Sequence, residues 1–232
     1  MAYPRYAIYH TPEPGGDLDR FGAELLGYDA TTAEDLPFPD EILQLAPDWR
    51  ELTRDPRKYG FHGTLKAPHA LAPGKTEAEL LAACEVFART PRPIPVIKPI
   101  VGSISGFIAV VPAEPSAELE RLAAECVSEF DAFRAPLTAA DLARRNPSML
   151  TARQRDHLDR WGYPHVMQDF RFHMTLTGRL PPQRHDPVLT MLKDRFSALG
   201  LKTLAVDRIA LCRQGDADSR FRIVGTYVLG KS

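Results

Sequence analysis

Apolar positions recur along the chain at two spacings, and the spacing divides it into strands and helices. Alternating or β-rich runs stand at Arg5 to His10, Phe61 to Leu65, Ile94 to Ile100, Gly106 to Val111, Phe170 to Leu176, Thr203 to Leu211 and Phe221 to Leu229, and each predicts a strand. Helical spacing puts Leu80, Leu81, Cys84 and Phe87 on one face of a helix over Thr76 to Arg89, which opens with Thr76 and Glu79 at the spacing of a capping box. Leu119, Leu122, Cys126, Val127, Phe130 and Phe133 form a second stripe, entered through Pro115 and Ser116. A third helix is expected to start at Asp186-Pro187, to carry Leu189, Leu192, Phe196 and Leu199, and to stop at Gly200.

The order of these elements repeats. Phe61-His62-Gly63-Thr64-Leu65 and Phe172-His173-Met174-Thr175-Leu176 are each preceded by a strand and a helix, and each is followed by a helix and then two strands. The helix starts 14 residues after His62 (Thr76) and 13 after His173 (Asp186), and the next strand 32 and 30 residues on (Ile94 and Thr203). Such a duplication predicts an α+β fold of two pseudo-symmetric lobes, each a largely antiparallel sheet with flanking helices, and an active-site cleft between them. The whole of 1–232 is read as one bilobal domain. An insertion at about 136–168 has no counterpart before the first motif; it holds polar helical stretches near Thr138 to Arg145 and Thr151 to Arg160 and then Trp161-Gly162-Tyr163-Pro164. With the Pro- and acid-rich stretch from Asp35 to Arg57, which holds one short helix around Asp40 to Ala46, it would form a lid or wall.

In a strand, side chains alternate between faces, so His62, Thr64 and Lys66 are expected to share one face, and Arg171, His173, Thr175 and Thr177 another, with the apolar residues turned to the core. Two imidazoles and two hydroxyls around one small group suit a phosphodiester. A neutral histidine takes a proton from water or a hydroxyl, a protonated one gives a proton to the departing oxygen, and the threonine hydroxyls donate to the non-bridging oxygens. An imidazole with a pKa near 6.5 can play either part near neutral pH. A lone His-x-Thr is weak, but two copies with the same flanking Phe and Leu at duplicated positions are a coincidence on the order of one in a million at average composition.

Charge narrows the ligand. With 29 basic and 30 acidic side chains the net charge is −1, so no overall field holds long nucleic acid or an anionic membrane, and an anion must be bound locally. Lys66 and Arg171 are the cations in the two polar rows, and Tyr59 and Tyr163 are candidates to stack on a sugar or base. Arg54, Arg57, Lys58, Arg179 and Arg184 lie near the motifs and are read chiefly as surface charges; His157, His165 and His185 are also read as surface residues. His10 and His69 raise the question of a metal, but no dense ligand spacing accompanies them, and neither a metal nor a cofactor is expected. Cys84, Cys126 and Cys212 read as core residues. The amino-terminal residues lack a signal-peptide pattern and no apolar run approaches a membrane span, so a cytoplasmic monomer with no membrane partner is expected.

At its two tetrapeptides, His62-Gly63-Thr64-Leu65 and His173-Met174-Thr175-Leu176, the sequence resembles the two-histidine (2H) phosphoesterase superfamily, whose signature is His-x-Thr-x in each of two lobes. The strings YGFHGTLKAP, FDAFRAPL, WGYP and FRFHMTLTGRL are similar to a family of proteins encoded among bacterial phosphonate-utilisation genes. The resemblance implies a bilobal α+β fold, no metal, catalysis by His62 and His173, and phosphate binding by Thr64 and Thr175. It also implies a narrower substrate, a ribose 1,2-cyclic phosphate bearing a 5-phosphate. Two other readings stand beside a cyclic phosphodiesterase: an enzyme hydrolysing or ligating 2′-phosphoesters at RNA ends, and a non-catalytic module that binds a phosphorylated ligand.

Overall fold

The computed structural model describes residues 2–231. Seven strands make one antiparallel sheet: β1 (Arg5–His10), β2 (Gly63–Ala70), β3 (Pro99–Ile104), β4 (Phe107–Pro112), β5 (Met174–Thr175), β6 (Arg208–Gln214) and β7 (Arg222–Val228). Their spatial order is β7-β6-β1-β2-β5-β4-β3. The two motif strands, β2 and β5, therefore lie side by side at the middle, each with its own half of the sheet behind it. They meet at a single register pair, Gly63 opposite Met174.

Alternation decides what covers each face. Along β1, Tyr6 and Ile8 enter the main core while Ala7 and Tyr9 join a small cluster on the opposite face with Ala210, Cys212 and Phe221. The main core is covered by four helices: α1 (Asp17–Leu26), α2 (Glu77–Arg89), α3 (Ala117–Glu129) and, after the insertion, α6 (Pro182–Ser197). Of these, α2 lies on β6 and β7, α3 on β2, and α6 on β3. The expected capping box of α2 is present, with Thr76 and Glu79 each satisfying the other's backbone N–H. The insertion forms α4 (Ala139–Arg144) and α5 (Ala152–Trp161), each opened by a capping box of its own.

Several boundaries differ from the sequence-based expectation. The strand expected over Phe170 to Leu176 is only Met174–Thr175, because Leu176 and Thr177 both donate to Ile108 O (2.9 and 3.2 Å) while the Thr177 hydroxyl accepts from Ile108 N (3.1 Å), which closes the ladder. The apolar runs from Ile94 and from Thr203 each divide in two: Val96–Ile97 pairs with Leu204–Ala205 in a separate ribbon, and only the later residues enter the main sheet. The helix expected from Asp186 begins at Pro182, whose fixed φ suits the first turn, and Pro187 is carried inside it.

Candidate active site

The backbone before β2 turns at Gly60, which takes φ +74, and Gly60 O accepts a hydrogen bond from His62 Nδ1 at 2.9 Å. His173 repeats this two-residue arrangement, Nδ1 donating to Arg171 O at 2.7 Å. A carbonyl can only accept, so the proton sits on Nδ1 in both neutral rings and each Nε2 is left with a lone pair. His62 Nε2 lies 3.1 Å from Thr64 Oγ1, and its ring stacks on Tyr9 at 3.8 Å between centroids. The His173 ring is tilted against Phe107 at 5.5 Å.

The meeting of Gly63 with Met174 sets the rest of the constellation. In an antiparallel pair the neighbours of those two residues also oppose each other, so His62 faces Thr175 and Thr64 faces His173 on the side of the sheet away from the main core. Gly63 is needed for this approach: a Cβ there would lie 2.4 Å from Phe172 Cε2. The apolar partners Phe61, Leu65, Phe172 and Leu176 are all buried in the main core, as alternation requires.

Two adjoining cavities share Thr64 and Tyr163. One, of about 300 Å³, reaches His62, Thr64 and Thr175 together with Tyr9, Tyr59 and three arginines, Arg5, Arg144 and Arg145. The other, of about 400 Å³, reaches His173, Arg171 and Phe107 together with Gln154 and His165. Their size suits a small molecule. The insertion supplies Arg144, Arg145, Gln154, Tyr163 and His165, so it forms one wall of the cleft.

Burial pushes the His62 imidazole down to about 4, against the pull of the Gly60 carbonyl, with the neighbouring His173 adding a little in the same direction. His173 is also lowered by burial, opposed by its bond to Arg171 O. Both rings are thus neutral at pH 7, rather than one neutral and one charged at ordinary values.

Two residues of the expected polar rows are not in the cleft. Lys66 is turned to the other side of the sheet by a β-bulge: Thr64 stands opposite Tyr9 but Lys66 stands opposite Ile8, which leaves Leu65 as the extra residue. Its ammonium, 4% exposed, donates to Val127 O in the last turn of α3 (2.8 Å) and meets Asp131 at 3.3 Å. Thr177 is fully buried, its hydroxyl spent on Ile108 N and Gly178 O. Arg171, Tyr59 and Tyr163 do line the cleft, Tyr59 with its ring stacked on Phe221 at 5.2 Å. Of the neighbouring cations, Arg57 is held by Leu26 O and Arg50 O, and Arg184 by Asp48, so neither reaches the cleft. His157 is a correction too: it is buried, 3.4 Å from Asp169, and His165 lines the second cavity.

Sequence reading missed Arg5, Tyr9, Arg144 and Arg145. Arg5 and Tyr9 belong to a strand that reads as wholly buried, and Arg144 and Arg145 to a polar helix far from either motif along the chain. Their pairing with the motif strands is a tertiary fact without a local signal. His10 and His69 are buried and apart, and among the described residues no three His, Cys, Asp or Glu side chains converge as a metal site. No helix among the described residues is long and apolar enough to cross a membrane.

The family model described as "Protein of unknown function (DUF1045)" matches residues 64–222, most of the chain, taking in Thr64 and the whole of the second motif. The chain belongs to this family. A relative from Janthinobacterium sp. (strain Marseille), ribose 1,5-bisphosphate phosphokinase PhnN, is 36% identical over 90% of this chain and 47% of its own length. A protein of the same name from Laribacter hongkongensis (strain HLHK9) is 29% identical over 94% of this chain and 50% of its own length. This DUF1045 chain therefore spans about half the length of the curated relatives it matches. Among solved structures, E. coli LigT complexed with 3′-AMP aligns over 98% of this chain and 99% of its own, at a TM-score of 0.38 and 15% identity.

Proposed function

We propose that this protein is a metal-independent phosphodiesterase that opens a small cyclic phosphodiester, with His62 and His173 as base and acid and Thr64 and Thr175 as phosphate ligands. The observation that carries the reading is the pairing of Gly63 with Met174, which sets two imidazoles and two hydroxyls on one face of the sheet at the junction of two cavities. Each imidazole has its Nδ1 proton fixed by a backbone carbonyl and its Nε2 available for proton transfer.

We assign the base to His62, whose ring burial keeps neutral and whose Nε2 meets the Thr64 hydroxyl at 3.1 Å. It takes a proton from water as the water oxygen bonds to phosphorus. His173, protonated when the anionic substrate enters beside it, gives its proton to the ring oxygen as that P–O bond breaks. The threonine hydroxyls donate to the non-bridging oxygens as charge builds on them.

The substrate we favour is a ribose 1,2-cyclic phosphate carrying a 5-phosphate, an intermediate of phosphonate breakdown. Breaking the P–O2 bond would yield ribose 1,5-bisphosphate, the compound in the name of the longer relatives, whose remaining half lies beyond the match. The arginines along the cleft support an anion of more than one charge.

Phosphorus NMR with EDTA present, against this sugar phosphate and a 2′,3′-cyclic nucleotide, tests the reading, with the His62→Ala/His173→Ala double variant as control. Turnover of the sugar phosphate that disappears in the variant is the expected result. Turnover of the nucleotide alone would keep the chemistry and move the role to RNA ends. Turnover of neither, or turnover that survives in the variant, would overturn it.

A further inference from the structure

The wall opposite His62 carries charge for which the hydrolytic step has no use. Arg145, just past the end of α4, is half-buried, and its guanidinium carbon lies 4.7 Å from the centroid of the Tyr163 ring. Among the described residues its guanidinium has neither a carboxylate nor a hydrogen-bond acceptor. Arg144 beside it is tied to Asp141, which also closes the capping box of α4, so that carboxylate serves two tasks already. Arg5, buried on β1, lines the same cavity and donates Nε to the neutral amide oxygen of Gln214 at 2.8 Å. Burial first, then the charges of Arg144 and Arg5, hold the Arg145 guanidinium below its ordinary value, while the phenols of Tyr163 and Tyr59 pull the other way. A half-buried guanidinium flanked by two others is costly unless an anion is brought to it.

We propose that Arg145, with Arg144 and Arg5, forms a second anion subsite that binds a phosphate monoester carried on the same small molecule whose cyclic ester is opened at His62 and His173. The proposal rests on the phosphodiesterase reading for the identity of that molecule. Tyr59 has one face against Phe221 and Tyr163 has one face under Arg145, so each ring keeps its other face for the body of that molecule. Arg145 donates in a planar fork that matches phosphate oxygens, which a lysine would not reproduce.

Calorimetry on the intact protein separates this subsite from the catalytic reading. The probes are ribose 1,5-bisphosphate and ribose 1-phosphate, which share the anomeric phosphate and differ in the distal one. The wild type should prefer the bisphosphate by about 10- to 100-fold, one charge-assisted contact being worth about 1.5–3 kcal/mol. Arg145→Gln should bring that ratio close to one and Arg145→Lys should restore only part of it, with melting temperatures recorded to confirm that both variants fold. Equal affinity of the wild type for the two probes, or a ratio that Arg145→Gln leaves unchanged, would overturn the subsite even if cyclic esters are hydrolysed. A preference that depends on Arg145 in a protein that hydrolyses neither cyclic ester would uphold the subsite and sink the phosphodiesterase.

Discussion

The Nε2 atom of His62, just before β2, and the hydroxyl oxygen of Thr64, within it, are 3.1 Å apart. Since Nδ1 is committed to Gly60 O, this hydroxyl donates to the ring, and under the proposed reaction it would turn toward a phosphate oxygen. Thr64→Val should therefore lower kcat by about 10- to 100-fold, less than the 100- to 10,000-fold expected of His62→Ala or His173→Ala. Thr64→Ser should recover most of the loss. Steady-state rates on the cyclic ester check the order; a valine variant as slow as the histidine variants would mean that Thr64 does more than donate.

Proton uptake should accompany anion binding. Both histidines are neutral at pH 7 in the free protein, because burial holds His62 near 4 and His173 below its ordinary value, and a bound phosphate raises an adjacent imidazole. Calorimetry of inorganic phosphate binding in buffers of different ionisation enthalpy should report uptake of about one proton at pH 7. Release of protons, or none exchanged, would contradict the assignment of His173 as the acid.

Acid should destabilise the fold over a definite window. His10 and His69 are buried, and burial lowers each to about 4 from an ordinary value of 6.5. On these two groups the unfolded chain binds more protons between those limits, so the stability they contribute is complete above about pH 6.5, falls as pH drops to about 4, and is lost below it. At about 1.4 kcal/mol per unit, each ring contributes up to roughly 3 kcal/mol of that loss. Urea midpoints at pH 7.5 and 4.5 measure it, and His69→Gln should flatten the slope; a midpoint that does not move with pH would refute the prediction.

Lys66 belongs to stability and not to the reaction. Lys66→Met should lower unfolding free energy by about 1–3 kcal/mol, since Val127 O loses its donor and Asp131 keeps only Arg134. Its kcat should stay within about twofold of wild type at 25 °C, a margin of under 1 kcal/mol. Loss of activity without loss of stability would return Lys66 to the cleft.

Gly63→Ala tests the junction of the two motif strands. The new Cβ meets the Phe172 ring at 2.4–2.7 Å, and relief requires the ring or a strand to move. A stability loss of about 1–3 kcal/mol is expected, with a larger proportional fall in kcat, because His62, Thr64 and the second motif are positioned by that contact. Equal rates in the variant and the wild type would show that the junction tolerates displacement.

The duplicated motif made much of this legible in advance. Phe61, Leu65, Phe172 and Leu176 announce the buried face, and His62, Thr64, His173 and Thr175 the open one, because alternation in a strand is a local rule. The same rule misled at Lys66, where an inserted residue reverses the faces; nothing in Leu65-Lys66-Ala67 marks a bulge, which is fixed by the partner strand. Thr177 failed for a related reason, its hydroxyl having replaced a backbone group in the ladder. Arg145 carries no local signal at all, since a polar helix in an insertion looks alike whether it faces water or a ligand.

The bulge at Leu65 also divides labour within a single strand. Upstream of it Thr64 faces the cleft; just downstream, Lys66 ties the strand to α3. Substitution of Thr64 would then act on the proposed chemistry and substitution of Lys66 on durability, so drift in specificity and drift in robustness can proceed independently at positions two residues apart.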